Sequence, residues 1–412
     1  MLRRVASISG FLQWVPAVGV TVYGDKMLSP YELLILLLLP AIILTSFEFR
    51  RLVFWVIAVG ISTMSFLNSL NRSTSAIYLL YYLLVIIPHM LLFVQIFEND
   101  EATRAFFVSF VKTGVWLGPI AVLQFLSPVP IALANNSNYF LVSELHRTSL
   151  FTPEPSILAA LYVIAISLAI YNSYTRIEPR IPADFGSYVS MVAGLATTLS
   201  TSMVIVLPPL LLYIFRLCGV PWKTLIRYAA LGSVVLVAFY FVGYESRVSG
   251  GDSSSSSLLR LASVLGGMYV ILQHSLTGLG LGMNKNVEDA VKIIYFALSH
   301  NIIKKSGIDS FQIGLMAEMG VLPGVFSIAF VVVCYKTLKK RVRSIQGATA
   351  LTALIAMLAI SVAFVSLLTS GYRGLAYCWL SLPAGYAVYL RNKGKADLPV
   401  LDSTVPLVAG GG

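Results

Sequence analysis

The stretch YESRVSGGDSSSSSLLRLASVLGGMYVILQHSLTGLGLGMNKNVEDAVKIIYFALSHNIIKKSGIDSF, residues 244–311, is the longest part of the chain without an uninterrupted apolar run of membrane length. It contains two of the 4 histidines, His274 and His300, and a Ser/Gly-rich segment at 249–257. Strongly apolar segments flank it on both sides. The number of those segments and the charges between them decide which side of a membrane this stretch faces.

The composition is that of a polytopic membrane protein. Of the 412 residues, 57% are hydrophobic and 11% are charged, and the mean hydropathy is +0.83, whereas soluble domains carry about 25% charged residues. The net charge of +11 follows from membrane topology, so we expect no nucleic-acid partner. Cys218, Cys334 and Cys378 have no metal-ligand spacing, so we expect no zinc site and no disulfide framework.

A helix needs about 17–25 apolar residues to cross a hydrocarbon core of about 30 Å, and about twelve segments qualify. They are 8–23, 30–47, 52–70, 77–96, 105–126, 156–171, 188–199, 203–215, 228–242, 311–335, 348–369 and 375–390. The seventh and eighth are short and meet at residues 200–202, so a single bent helix is the alternative there.

The predicted fold is therefore an all-α polytopic membrane protein with about twelve transmembrane helices. Residues 1–243 hold nine of them and an outer loop at 127–155, and residues 312–395 hold the last three. Residues 244–311 form a large extracytoplasmic loop, and 396–412 a disordered cytoplasmic tail.

Positive charge sets the orientation. With the N-terminus inside, most of the 29 Lys and Arg residues lie at the cytoplasmic ends of the helices, as the positive-inside rule requires. Both termini are then cytoplasmic, and the segments 127–155, 244–311 and 370–374 are extracytoplasmic. Within the long loop, serines at 254–257 can cap a helix that carries Arg260 and an uncharged run, 261–272. That run is too short to cross a membrane, which indicates an interfacial or re-entrant helix.

Arg147, Arg260 and Arg373 each lie beside apolar sequence at the predicted outer membrane edge, where an unpaired guanidinium is costly. Three kinds of partner remain open for them: a carboxylate, an anionic lipid headgroup, or a phosphate, which a guanidinium binds in bidentate fashion. The candidate carboxylates are Glu144, Glu154, Glu245 and Glu318.

Other side chains are candidates for chemistry. Glu154 lies between two prolines just before a helix start, which suits either a positioned carboxylate or an ordinary helix cap. Glu318 falls inside the 311–335 segment, where a carboxylate is a functional hypothesis by default. His300, followed by Asn301, precedes the same segment and is either a catalytic base or a surface residue. The sequence contains no glycine-rich phosphate loop, no HExxH motif and no outer pair of acids, so we expect no cofactor and no metal.

Three motifs resemble bacterial O-antigen and exopolysaccharide polymerases of the Wzy type. They are Arg147-Thr-Ser-Leu-Phe-Thr-Pro-Glu154-Pro-Ser156-Ile-Leu-Ala, then His274-Ser-Leu-Thr-Gly278-Leu-Gly280-Leu-Gly282, and then Ser299-His300-Asn301 followed by Ala317-Glu318-Met-Gly320-Val-Leu-Pro-Gly324. Together with the hydropathy profile, the similarity covers roughly residues 31–390. In one departure, Thr201 follows Ser200 where the family often has an arginine.

The resemblance implies a GT-C-like glycosyltransferase of the bacterial inner membrane that joins undecaprenyl-diphosphate-linked oligosaccharides on the periplasmic side. Both donor and acceptor are then lipid-linked, membrane lipids surround the protein, and a chain-length regulator protein is a further partner. The anomeric carbon of such a donor already carries a good leaving group, so no metal is needed if arginines neutralise the diphosphate.

The roles follow from that chemistry. His300 is the first candidate for the base that activates the acceptor hydroxyl, and Glu154 the second. The residues expected to bind the diphosphate are Arg147, Arg260 and Arg373, helped by Arg247 and Lys304. The residues expected to contact sugar are Asn301, Gly280 and Tyr372, since a glycine lets backbone approach a ligand closely.

Two other functions remain open. The related O-antigen ligases, which transfer the glycan to lipid A-core, share the arginines and the histidine. A lipid-linked oligosaccharide flippase is the alternative of another class, and it predicts charges deep in several spans and helices broken at the midplane. The deep candidates are Lys112, His89 and Glu318.

Overall fold

The computed structural model describes residues 1–16, 20–23, 26–46, 48–69, 71–127, 148–175, 181, 184–198, 200–221, 223–224, 227, 253–299, 308, 310–341, 348–367 and 376–396. Only the backbone is described for residues 20–23, 26–27, 201–205, 253–258, 260, 284–286, 340–341, 348–349 and 394–396. The ninth predicted span, 228–242, and the predicted tail beyond 396 lie outside the described residues.

The described chain is almost entirely helical. In chain order its helices are α1 (Leu2–Leu12), α2 (Pro30–Thr45), α3 (Phe49–Leu67), α4 (Arg72–Glu98), α5 (Asp100–Leu126), α6 (Pro155–Thr175), α7 (Phe185–Thr197), α8 (Thr201–Leu217), α9 (Ser253–Gln273), α10 (Asn284–Ser299), α11 (Phe311–Met319), α12 (Leu322–Arg341), α13 (Ala348–Ser366) and α14 (Ser381–Ala396). A π-helical turn at Tyr82–Ile86 lies within α4, and a 3-10 turn, Ala376–Leu380, precedes α14. Strands β1 (Val20–Tyr23) and β2 (Lys26–Leu28) form a short antiparallel hairpin.

In the part of the chain that the structure describes, five helices are long and apolar enough to cross a membrane: α3, α4, α5, α6 and α12 over its first 18 residues. Shorter apolar helices include α2, α7 and parts of α8, α9 and α13. This confirms the predicted class, an all-α membrane protein. The number of about twelve spans stays a prediction.

Two predicted spans are wrong in their boundaries. The segment 8–23 is not one helix, because α1 ends at Leu12 and β1 begins at Val20; Pro16 has no N–H to donate and disfavours helical backbone at the residue before it. The segment 311–335 is two helices, because the chain breaks at Gly320, whose φ of 80° lies in the left-handed region. A glycine adopts that conformation without steric cost.

The seventh and eighth predicted spans are two separate helices. The hydroxyl of Tyr188 near the start of α7 lies 2.9 Å from Ser173 Oγ at the end of α6. The ring of Phe215 near the end of α8 lies 5.7 Å from that of Tyr174, also at the end of α6. The start of α7 and the end of α8 are thus both level with the end of α6, so α8 runs in the direction opposite to α7, and both helices pack against α6. This excludes the single bent helix.

Helix α6 forms the centre of the bundle. Every residue from 157 to 165 has 0% exposure, and α6 packs against α7, α8 and α13. Trp14 fixes α1 to this core, since its indole N–H donates to Phe110 O at 3.0 Å and its ring packs edge-on against Tyr162 at 5.1 Å. A helix that is apolar on all sides is expected only where protein surrounds it or where it crosses a membrane.

Ion pairs mark one end of the bundle. Arg51 at the start of α3 pairs with Glu98 at the end of α4 at 2.7 Å, and Arg391 in α14 pairs with Asp100 at the start of α5 at 2.7 Å. We call this the basic end. The opposite end, where α3 and α5 finish and α6 begins, we call the loop end.

Candidate functional site

A glycine-rich turn at residues 278–282, which we call the glycine loop, docks on the last turn of α11. The amide of Leu279 donates to Ala317 O at 2.9 Å, and the amide of Gly280 donates to Glu318 O at 3.1 Å. Just beyond α11, the amide of Val321 donates to Ser275 O at 2.8 Å. Two segments far apart in sequence are therefore joined backbone to backbone at the loop end.

Glycine is required in this loop for both conformation and space. Gly280 has a φ of 103°, and a Cβ placed on it would lie 2.4 Å from the Cβ of Ser69. A Cβ on Gly282 would lie 2.1 Å from Tyr78 Cδ2. The close approach of backbone that the sequence predicts for Gly280 is thus present, but it is made to the protein itself, to Ser69 in the turn after α3.

Serine hydroxyls complete the docking. Ser65 Oγ near the end of α3 donates to Glu318 O at 2.7 Å, and Ser75 Oγ in α4 donates to Leu281 O. The Glu318 side chain is 2% exposed, at the end of α11 rather than seven residues into an unbroken span. The residue whose backbone carbonyl receives the glycine loop therefore carries a buried side chain.

Glu154 caps α6 at the same end of the molecule. Its carbonyl accepts the amides of Ile157 at 3.1 Å and Leu158 at 3.3 Å, and the bond from Leu158 is the first α-helical hydrogen bond. Ser156 Oγ donates to Glu154 Oε2 at 3.1 Å, and Thr152 Oγ1 donates to Glu154 O at 2.9 Å. A carboxylate at a helix N-terminus is favoured by the helix dipole, so the position predicted from the two flanking prolines is the observed one.

The segment leading to Glu154 is attached to the ends of α5 and α7. The amide of Thr148 donates to Thr197 O at 3.1 Å, and that of Leu150 donates to Gln124 Oε1 at 3.1 Å. Leu150 has a φ of 47° and is 1% exposed, a left-handed conformation that costs a non-glycine residue roughly 1–2 kcal/mol. Local strain held in place by surrounding contacts is common near functional sites.

The residues that the structure describes include only part of the predicted arginine cluster. Arg260 lies on α9, as expected from the sequence, although only its backbone is described. Outside the described residues are Arg147, Arg247, His300, Asn301, Lys304, Tyr372 and Arg373. Among the residues that the structure does describe, no three His, Cys, Asp or Glu side chains group in a way that could hold a metal ion.

The loop helix α9 is amphipathic in its contacts. Its inner side packs on α10, where Gly266 lies against Val291. Its outer side exposes Met268 at 52% and Leu272 at 81%. An apolar stripe of this kind suits a helix that lies in the membrane interface, as the sequence predicts.

Glu32, a carboxylate that is 6% exposed, is not among the residues predicted from the sequence. It forms a capping box at the start of α2, accepting the amide of Ser29 at 2.6 Å, and it also accepts the hydroxyl of Tyr81. The spacing Ser29-x-x-Glu32 is the known signature of such a cap and would have located it. His89, with Nδ1 2.7 Å from the Tyr31 hydroxyl, is likewise a packed structural residue.

The chain matches no model of a known protein family and no curated protein sequence.

Proposed function

We propose that the protein polymerises undecaprenyl-diphosphate-linked oligosaccharide repeat units at the outer face of the bacterial inner membrane. In this reaction the acceptor hydroxyl attacks the anomeric carbon of the donor glycan, and the bond from that carbon to the diphosphate oxygen breaks. A base takes the hydroxyl proton, and undecaprenyl diphosphate leaves. His300 is our first candidate for that base and Glu154 our second.

The observation that carries the proposal is the contact between two of the motifs that resemble the polymerase family. The glycine loop follows His274, and the helix end that receives it carries Ala317 and Glu318. The remaining motif, which contains Glu154, lies at the same end of the bundle. Segments from separate parts of the chain that converge at one membrane face are suited to hold a substrate between them.

The proposed orientation puts the basic end in the cytoplasm. The described basic side chains at or near that end include Arg3, Arg4, Arg50, Arg51, Arg104, Arg216, Lys336, Lys339, Arg391 and Lys393. Toward the loop end the described ones are Arg72 and Lys292. By the positive-inside rule, the loop end is then periplasmic and both termini are cytoplasmic. About twelve spans and a GT-C-like arrangement belong to this proposal.

The groups that we expect to bind the diphosphate are the guanidinium groups of the outer segments. Arg147 directly precedes Thr148, which is bound at the loop end. Arg373 belongs to the connection between α13 and the 3-10 turn. We propose that these two and Arg260 bind the diphosphate oxygens in bidentate fashion, with Arg247 and Lys304 adding positive charge. Asn301, Gly280 and Tyr372 contact the sugar.

The deep polar groups favour a polymerase over a flippase. Lys112 lies halfway along α5, on the same outward face as Trp116, which is 68% exposed. His89 is packed against Phe93 inside the bundle, and Glu318 lies at the loop end. A transport path needs polar groups that line one route near the midplane, whereas these three lie in three different environments.

The direct test is to reconstitute the purified protein with a lipid-linked repeat unit and to separate the products by size. A ladder of longer glycans is the expected result. Capping of an added lipid A-core acceptor, without a ladder, would identify a ligase instead. No extension together with measurable translocation of the lipid-linked unit would identify a flippase.

A further inference from the structure

Two hydrogen-bond donors lie on the outward face of α5, near the middle of that helix. Lys112 and Trp116 are both exposed, the indole at 68%. They stand one turn apart, at i and i+4, where side chains are neighbours with about 5–6 Å between their Cβ atoms. Lys112 lies midway along the 27 residues of α5, so both donors are far from the two ends of the helix.

Neither donor has an acceptor in the part of the chain that the structure describes. Among those residues, the Lys112 ammonium and the Trp116 indole N–H take part in no ion pair and no hydrogen bond. Because α5 is long and apolar enough to cross a membrane, this face meets lipid hydrocarbon. An unpaired ammonium is costly there, and no water is present to accept from the indole. The two donors together therefore require an acceptor at this depth.

The outward face of α5 is an open strip between two neighbouring helices. On one side, Ser109 Oγ of α5 donates to Ser7 O of α1 at 2.7 Å. On the other side, Ser190 Oγ of α7 donates to Val115 O of α5. The strip continues toward the loop end at Leu123, which is also exposed. A further membrane helix can pack along such a strip, because helices in membranes associate through close packing and hydrogen bonds between them.

A second copy of the chain does not supply the acceptor. In a two-fold symmetric dimer the same surface meets itself, which would bring two Lys112 ammonium groups together. A head-to-tail contact would need a carboxylate on the lipid-facing side of an apolar segment. Glu32 and Glu318 are the carboxylates that lie within the predicted spans, and both are buried, at 6% and 2% exposure.

An anionic lipid headgroup is too far away to be the acceptor. Arg104, the next charged residue toward the basic end, lies about 12 Å along the helix from Lys112. A fully extended lysine stem spans only about 6 Å. The ammonium therefore reaches about half of the way to the level of Arg104, and the indole of Trp116 lies deeper still.

We propose that this face of α5 binds a membrane-spanning helix of a different protein, and that an aspartate or glutamate of that helix lies between Lys112 and Trp116. One carboxylate oxygen accepts from the ammonium and the other from the indole N–H, so a single side chain satisfies both donors. Charged groups within membranes pair with one another in this way. The contact lies midway along the bundle rather than at the loop end, and it does not depend on the proposed polymerase activity.

The test uses the full-length protein in phosphatidylcholine liposomes and a polyleucine helix of about 21 residues with one central glutamate. Energy transfer from the labelled protein to the labelled peptide measures association, and a peptide with leucine at its centre gives the background. We expect the glutamate peptide to associate about five- to thirtyfold more strongly, the range that polar contacts between model membrane helices provide. Lys112→Leu should abolish that difference, Trp116→Phe should reduce it, and Lys112→Arg should retain it.

The matched control moves the positive charge to another lipid-facing helix. Ile328 on α12 is exposed and has Val332 one turn further on, so Ile328→Lys combined with Lys112→Leu offers an ammonium without an indole beside it. Association of the glutamate peptide with that double variant as strong as with the wild type would overturn the inference, and so would equal association of the two peptides with the wild type. Loss of the difference on addition of phosphatidylglycerol would show that a headgroup reaches Lys112 and would also overturn it. All these changes lie on the exposed surface, and the thermal unfolding transition of each variant is compared with that of the wild type.

Discussion

The two ends of the bundle are held together by different chemistry. At the basic end, arginines pair with carboxylates on other helices, as Arg391 does with Asp100. At the loop end, the described contacts between the glycine loop and α11 are neutral backbone hydrogen bonds, supported by the hydroxyl of Ser65. Charge pairs tolerate small shifts of long side chains, whereas glycine backbone pressed against helices tolerates no added atom.

This difference suggests that the two ends of the bundle have different roles. The basic end uses Glu98 and Asp100 to hold helices in place. The loop end is held together by backbone and hydroxyl groups, and Glu154 and Glu318 belong to the motifs that resemble those of a polymerase. Substitutions at the basic end should therefore affect stability, and those at the loop end should affect product formation as well.

The largest expected effect on the rate of polymerisation comes from replacing the proposed base. His300→Gln should lower the rate of polymerisation by about 10²–10⁴, the usual contribution of a general base, and Glu154→Gln should lower it less. The rate of ladder formation is measured at saturating lipid-linked substrate.

Glu98→Gln is the matched control for these variants, since it removes a carboxylate from the basic end. It should reduce the thermal unfolding midpoint and leave the rate intact. A rate loss in Glu98→Gln as large as that in His300→Gln would end the proposed division between the two ends.

Gly280→Ala should be the most damaging structural change. The added Cβ meets Ser69 in a left-handed backbone conformation, so strain and overpacking together should cost roughly 2–5 kcal/mol. Thermal unfolding in detergent measures the loss, and polymer formation should fall with it.

Substitutions at two other glycines distinguish backbone strain from overpacking as the cause of the lost stability. Gly219→Ala introduces a side chain at a φ of 80° with nothing within 4 Å, and Gly60→Ala introduces one into open space on α3. The first should show strain alone, and the second should be neutral or slightly stabilising. If Gly280→Ala is no less stable than Gly219→Ala, close packing against Ser69 is not what the loop requires.

Arg391→Met should destabilise without affecting chemistry. Arg391 Nε donates to Phe97 O at 2.6 Å and its guanidinium pairs with Asp100, and hydrogen bonds to charged groups contribute about 1.5–3 kcal/mol each. Lys393→Met, an exposed position on the same helix, serves as the control and should change little. Product length below the unfolding temperature should be unchanged in both, and a shortened ladder in Arg391→Met would contradict the comparison.

Replacing Asp184 should have the smallest effect on stability, and that effect should depend on pH. The hydroxyl of Ser187, and then its amide, donate to this exposed N-cap carboxylate of α7 and hold its pKa below the usual value. A lowered pKa in the folded state adds stability that is present at neutral pH and is lost as the pH falls through that pKa. Asp184→Ala should therefore lower the unfolding midpoint slightly at neutral pH, and the difference from wild type should shrink in acid. A constant difference across that range would rule out the ionised cap as its source.

Much of the fold could be read from the sequence because apolar length is a local property. The helix predicted around Arg260 is present as α9, and the turn at Ser200 between α7 and α8 was already indicated by its polar residues. The misjudged spans contain a proline or a glycine within apolar sequence, Pro16 and Gly320. Hydropathy averaged over a window does not register a missing N–H or a left-handed residue.

The site was less predictable, because it depends on contacts between distant residues. The resemblance placed Gly280 and Glu318 in two motifs of one family without indicating that they touch, and Glu154 was correctly placed just before a helix start. The hydrogen bond from Ser65 to Glu318 spans 253 positions, and no periodicity indicates it. That the glycines pack against Ser69 and Tyr78 could not be derived from local sequence either.

The enclosure of α6 has a consequence for how the protein responds to its surroundings. Membranes differ in thickness, and helices that touch lipid adjust by tilting or by local deformation of the bilayer. Because other helices surround α6, its height is fixed by the protein. Glu154, which begins that helix, should keep its distance from the glycine loop in thin and thick bilayers alike.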